Sequence, residues 1–133
     1  IDEDMMLPAA GQGVVAIQAL DANDDPLRTQ IRTALAELNH HKTAIEITAE
    51  RAVLASLDGT CHTPVAASAY YDGSTISITA QLMSLDGSIV AVAKNSGTAD
   101  DAAMLGHDCG QNLLKQVGGR DFIIAQHPPI TTS

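Results

Sequence analysis

The chain has 133 residues, 45% of them hydrophobic, and a formal net charge of −9. That length suffices for one compact core with an appended piece, and the acidic balance repels phosphate backbones and anionic membranes alike. Only Tyr70, Tyr71 and Phe122 are aromatic, too few for a base-stacking surface, and no apolar run approaches the roughly 20 residues of a membrane span.

Residues 1–10 turn from acidic to apolar and show no period. Gly11-Gln12-Gly13 then enters Val14–Leu20 (VVAIQAL), a run suited to a strand buried on both faces. Such a Gly-x-Gly either meets a turn's need for positive φ or brings backbone N–H groups close to a ligand. Asp25 is placed to cap a helix with Pro26 at its first position. Leu27, Ile31, Ala34, Leu35 and Leu38 give that helix one apolar face. Asn39, His40 and His41 interrupt the pattern, which sets a boundary between residues 1–41 and residues 42–133.

Thr43 and Glu46 have the spacing of a capping box for a second helix. Ile45, Ala49, Ala52 or Val53, and Leu57 form its buried stripe; Glu46, Glu50 and Arg51 fall on the wetter side. Asp58-Gly59 ends the helix. Three strands follow by pattern: Val65–Tyr71, Thr75–Met83 and Ile89–Lys94, joined by turns at Asp72-Gly73 and Asp86-Gly87. In the second, Ile76, Ile78, Ala80 and Leu82 share one face. A three-stranded meander needs a helix on its apolar face, and Asp100–Val117 supplies one, with Ala102, Leu105, Cys109, Leu113 and Val117 inward and Gly118-Gly119 as its stop. Phe122, Ile123 and Ile124 suit a short docking segment, and the final HPPITTS reads as a frayed tail. The fold class is therefore α+β. The strand at 14–20 has no visible partner, so the first third belongs to a sheet completed by other segments.

Cys61 falls in the loop between the second helix and the first strand, whereas Cys109 lies on a buried stripe. With two cysteines and no visible signal peptide, a reducing cytoplasmic compartment is expected; a start at Ile1 suggests a piece of a longer protein. The helix before Cys61 ends at its loop, and the negative end of the dipole raises a thiol's pKa. That disfavours a fast nucleophile, including a Cys61–His62 pair without an orienting third group. A thiol alkylated once and kept as a thioether needs only access and a fixed position. His40, His41, His62, His107 and His127 show no metal-ligand spacing with the cysteines, so no metal is expected.

MLPAAGQGVVAIQ, LNHHKTAIEITAERAVLASLDGTCHTPVAASA, the meander and the closing helix, in that order, resemble the C-terminal part of porphobilinogen deaminases, also called hydroxymethylbilane synthases. The resemblance runs from about Met6 to Gly119. It implies a three-domain fold, two domains like periplasmic binding proteins and a third carrying a cofactor cysteine. Residues 1–41 would then be a crossover, strand and helix of the N-terminal domains, and 42–133 the third domain. It further implies a dipyrromethane cofactor joined by a thioether to Cys61, with Gln12 and Gly13 near the cofactor cleft. The implied reaction condenses four porphobilinogen molecules onto that primer, with loss of ammonia, and releases a linear tetrapyrrole. Porphobilinogen, the linear intermediates and the missing domains would be the partners, and the full-length protein a monomer. The family's catalytic aspartate and most of its carboxylate-binding arginines come from absent segments, so no catalytic residue is assigned here and the piece alone is expected to be inactive. Thr60 stands where most members have glycine, and Gln18 and Leu20 where most have Glu and Arg. For Arg51 the expectation is an ion pair with Glu46 or Glu50, the other role being a cofactor carboxylate. The competing reading is a non-catalytic α+β interaction module with a surface thiol.

Overall fold

The computed structural model describes residues 6–58 and 63–126. The predicted tail from His127 onward lies outside them. In chain order the elements are α1 (Pro26–Ala36), α2 (His41–Ser56), β1 (Val65–Tyr71), β2 (Thr75–Met83), β3 (Val90–Thr98), a 3-10 turn (Ala99–Asp101), α3 (Ala102–Gln116) and α4 (Asp121–Gln126). The sheet is an antiparallel meander in the order β1-β2-β3, with Ala67 opposite Ala80 and Ala80 opposite Ala93.

Alternation in β2 sets the core. Ile76, Ile78, Ala80 and Leu82 are all buried, and α2 and α3 cover them with Ala49, Val53, Leu57, Leu105, Cys109 and Leu113. The two helices approach closely because α3 presents glycine at the crossing. A Cβ on Gly106 would stand 2.0 Å from the Ala49 carbonyl oxygen, and one on Gly110 would stand 1.7 Å from Ser56 Oγ. Gln111 Nε2 donates to the Ser56 carbonyl across the same contact. Gly118 stops α3 with φ of 86°, and the Gly119 N–H reaches back to the Leu114 carbonyl at 2.8 Å, closing the last turn. The short α4 follows, resting Phe122 and Ile123 against the core.

Several local expectations are corrected. Helix α2 is capped by His40 rather than Thr43: His40 Nδ1 accepts from the Thr43 N–H and stands 2.8 Å from Thr43 Oγ1. The capping box fails because Glu46 is engaged elsewhere, accepting from the Tyr71 N–H at 2.9 Å. Strand β3 runs on to Thr98, four residues past the expected end, since β2 is long enough to pair with the polar stretch Asn95–Thr98. Residues 14–20 take no regular structure. A lone strand leaves its N–H and C=O groups without a ladder, and among the described residues none pairs with it. Val15 is 89% exposed and Leu20 70%.

Helix α1 starts as expected. Asp25 accepts from the Leu27 and Arg28 N–H groups at 2.9 and 3.2 Å. Its apolar face, however, buries nothing: Leu27 and Ile31 stay exposed, as does Leu38 beyond the helix.

Candidate functional site

The residues ahead of Val14 fold back onto the α2–β1 layer. Backbone bonds from Gln12 N–H to the Ala9 carbonyl (3.0 Å) and from Val14 N–H to the Gly11 carbonyl (3.3 Å) curl this stretch into consecutive turns. Gly11 and Gly13 adopt φ of 75° and 79°, a region costly for residues with a Cβ. At Gly11 there is a second reason for glycine, because a Cβ would stand 3.0 Å from Ile47 Cδ1. At Gly13 the space is open.

Two carboxylates from α2 hold the layer together. Glu50 Oε2 accepts from the Gly11 N–H at 2.7 Å, and Glu50 Oε1 accepts from the Ala69 N–H at 2.9 Å. Glu46 takes the Tyr71 N–H, and Lys42 Nζ lies 3.6 Å from the same oxygen. The Ala67 N–H donates to the Pro8 carbonyl at 3.1 Å. Thus the N–H groups of Ala67, Ala69 and Tyr71, turned away from β2, all find acceptors. Glu46 and Glu50 are therefore not the solvated charges expected from helical spacing. Arg51, on the exposed side of α2, pairs with neither of them, because both acids are already engaged by the backbone.

Between the turn and this layer lies a cleft of about 220 Å³, bounded by Pro8, Gln12 and Gly13 on one side and by Ile47, Glu50 and Ala69 on the other. Gln12 and Gly13 are thus brought to one opening, both exposed. Gln18 and Leu20 are also exposed, in the irregular stretch. Cys61, with Thr60 and His62, lies outside the described residues. In sequence it falls between Asp58, which has φ of 49° at the end of α2, and Thr63 just ahead of β1. An ion pair between Arg120 and Asp58 ties the α4 end of the fold to the end of α2. Cys109, in contrast, is 2% exposed inside the core. Burial, and secondarily the Asp108 charge, push its thiol's pKa up, so its thiolate is disfavoured.

The family model described as "Porphobilinogen deaminase, C-terminal domain" matches residues 44–115, which run from α2 through the meander into α3. The chain belongs to the porphobilinogen deaminase family. Among similar proteins is the porphobilinogen deaminase of Paracoccus denitrificans, 36% identical over 85% of this chain and 34% of its own length. That of an Exiguobacterium species is 36% identical over 92% of this chain and 38% of its own. That of Bordetella parapertussis is 37% identical over 92% and 37%. The chain therefore spans little more than a third of the length of these porphobilinogen deaminase relatives. No described helix is long and apolar enough to cross a membrane.

Proposed function

We propose that this chain is the cofactor-carrying C-terminal part of a transferase of tetrapyrrole biosynthesis. The complete enzyme condenses four porphobilinogen molecules, releasing ammonia at each addition, on a dipyrromethane joined by a thioether to Cys61, and hydrolyses off hydroxymethylbilane. The observation that carries this reading is the family match over the α2–meander–α3 unit, in which Cys61 falls in sequence between α2 and β1 while Cys109 is taken by the core. When bound, the dipyrromethane supplies the primer to which the first pyrrole unit is joined.

The described residues around Gln12 and Gly13 do not form a clamp for the cofactor's acetate and propionate groups. Around Gln12 and Gly13 stand Glu46 and Glu50, which repel carboxylates. Arg28, Arg32, Lys42 and Arg120 are each engaged by an acid of this chain, and Arg51, Lys94 and Lys115, which are not so engaged among the described residues, do not border this cleft. What the turn offers is the exposed Gln12 side-chain amide, which can donate to a pyrrole carboxylate or orient a ring; the Gly11, Gln12 and Val14 N–H groups are already bonded within the chain. The cationic contacts, best made by bidentate arginines, are assigned to the other segments of the full-length protein, as is catalysis.

Residues 1–41 belong in this reading to the preceding domains, and the exposed apolar face of α1 supports that assignment. We place the full-length protein in the cytoplasm, as a monomer. Intact-mass spectrometry of the full-length protein tests the tether. A dipyrromethane adduct is expected in the wild type and in Cys109→Ser, and none in Cys61→Ser. An adduct surviving Cys61→Ser would overturn the assignment, and a complete protein bearing none would favour the non-catalytic module.

A further inference from the structure

We infer that Glu50 is a positioning residue that seats the Gly11–Gly13 turn and so builds the cleft on which Gln12 opens. Its two oxygens serve two segments far apart in the chain, the Gly11 N–H 39 residues away and the Ala69 N–H 19 residues away. A carboxylate offers acceptors only, and its bonds to backbone N–H groups are stronger than neutral ones. Gly11 completes the fit from the other side. Its φ of 75° turns the N–H towards α2, and its missing Cβ lets the backbone lie against Ile47.

Glu46 provides the internal contrast. It sits one helical turn earlier, pairs with Lys42 and takes the β1 N–H of Tyr71, so it stabilises the strand edge with no hydrogen bond to the turn. Glu50 is the carboxylate that joins edge and turn. The remaining seats, the backbone bond from Ala67 to Pro8 and the packing of Ala10 against the core, hold the segment upstream of Gly11 and leave Gln12 and Gly13 free to swing once Glu50 lets go. The functional value of this seat rests on the proposed role of Gln12 and Gly13 beside the pyrroles. The seat itself does not.

Amide hydrogen exchange of the full chain, read residue by residue by NMR without any pyrrole present, tests it. Glu50→Ala removes both acceptors, so the Gly11 and Ala69 amides should each exchange about tenfold faster or more, while Ile78 and Leu113 in the core keep their protection. Glu46→Ala should accelerate Tyr71 and leave Gly11 unchanged. Gly11→Ala, which crowds Ile47, should free the Gln12 amide while Ala69 stays protected by Glu50. Unchanged Gly11 exchange in Glu50→Ala, or acceleration only in step with the core amides, would overturn the inference. Because no pyrrole is involved, that failure is distinct from the loss of the Cys61 adduct reading.

Discussion

Residues 6–40 and residues 41–126 carry comparable apolar spacing and meet opposite fates. In α2, Ile45, Ala49 and Val53 disappear beneath β1 and α3. In α1, Leu27 and Ile31, spaced four apart on a well-capped helix, face outward, and Val15, Ile17 and Leu20 do the same in the preceding stretch. An amphipathic pattern states that a face requires cover; it does not state that the cover lies in the same chain. The two regions also differ in how they are joined. What seats residues 8–14 on the larger unit is chiefly backbone and carboxylate hydrogen bonding rather than buried hydrocarbon.

The sharpest test of this contrast is a cavity in the larger unit. Leu113→Ala, at a fully buried position, should lower stability by about 2–5 kcal/mol, measured by urea unfolding. A smaller effect belongs to the cap of α1. Asp25→Ala should remove about 1 kcal/mol from that helix, seen as lost helical NMR shifts over Pro26–Ala36 while the unfolding midpoint of the sheet holds. If that midpoint moved equally, the two regions would be one cooperative unit.

A third effect is confined to the loop between β2 and β3. Asp86 titrates at about 2, because Ser84 Oγ and then the Ser88 N–H and hydroxyl donate to its carboxylate. A depressed folded-state pKa gives stabilisation that is present above the ordinary carboxylate range near about 4 and is lost as pH falls through the folded value. The Ser88 amide shift should therefore move at a pH well below 4 in the wild type and stay flat in Asp86→Asn. The smallest effect is expected at Ile31→Ala, within about 0.5 kcal/mol in the same urea assay. A loss matching Leu113→Ala would mean that α1 has a core of its own.

Much of the larger unit was legible in the residues. Strands β1 and β2 begin and end where Val65–Tyr71 and Thr75–Met83 were read, since alternation and Asp-Gly turns are local signals. The stripe spacing puts Cys109 in the core, and it lies there; Gln12 and Gly13, neighbours in the chain, border one cleft, and their cofactor role rests on the family resemblance. What escaped was the work of Glu46 and Glu50. Helical spacing placed them on the wetter face, and nothing local announces that their carboxylates reach a strand edge and a distant turn. The Thr43–Glu46 spacing misled for the same reason, because Tyr71 competes for the Glu46 side chain. Residues 14–20 were read as a strand from hydrophobicity alone, while strand formation depends on neighbours. The Cys61 assignment lies outside the described residues and stands on its sequence position and the family.

The outer side of β1 carries one more consequence. On the ribosome, Pro8 and the acids of α2 are synthesised before Ala67, Ala69 and Tyr71, which they will serve as acceptors. The cover for that border thus exists before the border does. In the folded chain the N–H groups of Ala67, Ala69 and Tyr71 are occupied and offer no template there for strand addition by another copy.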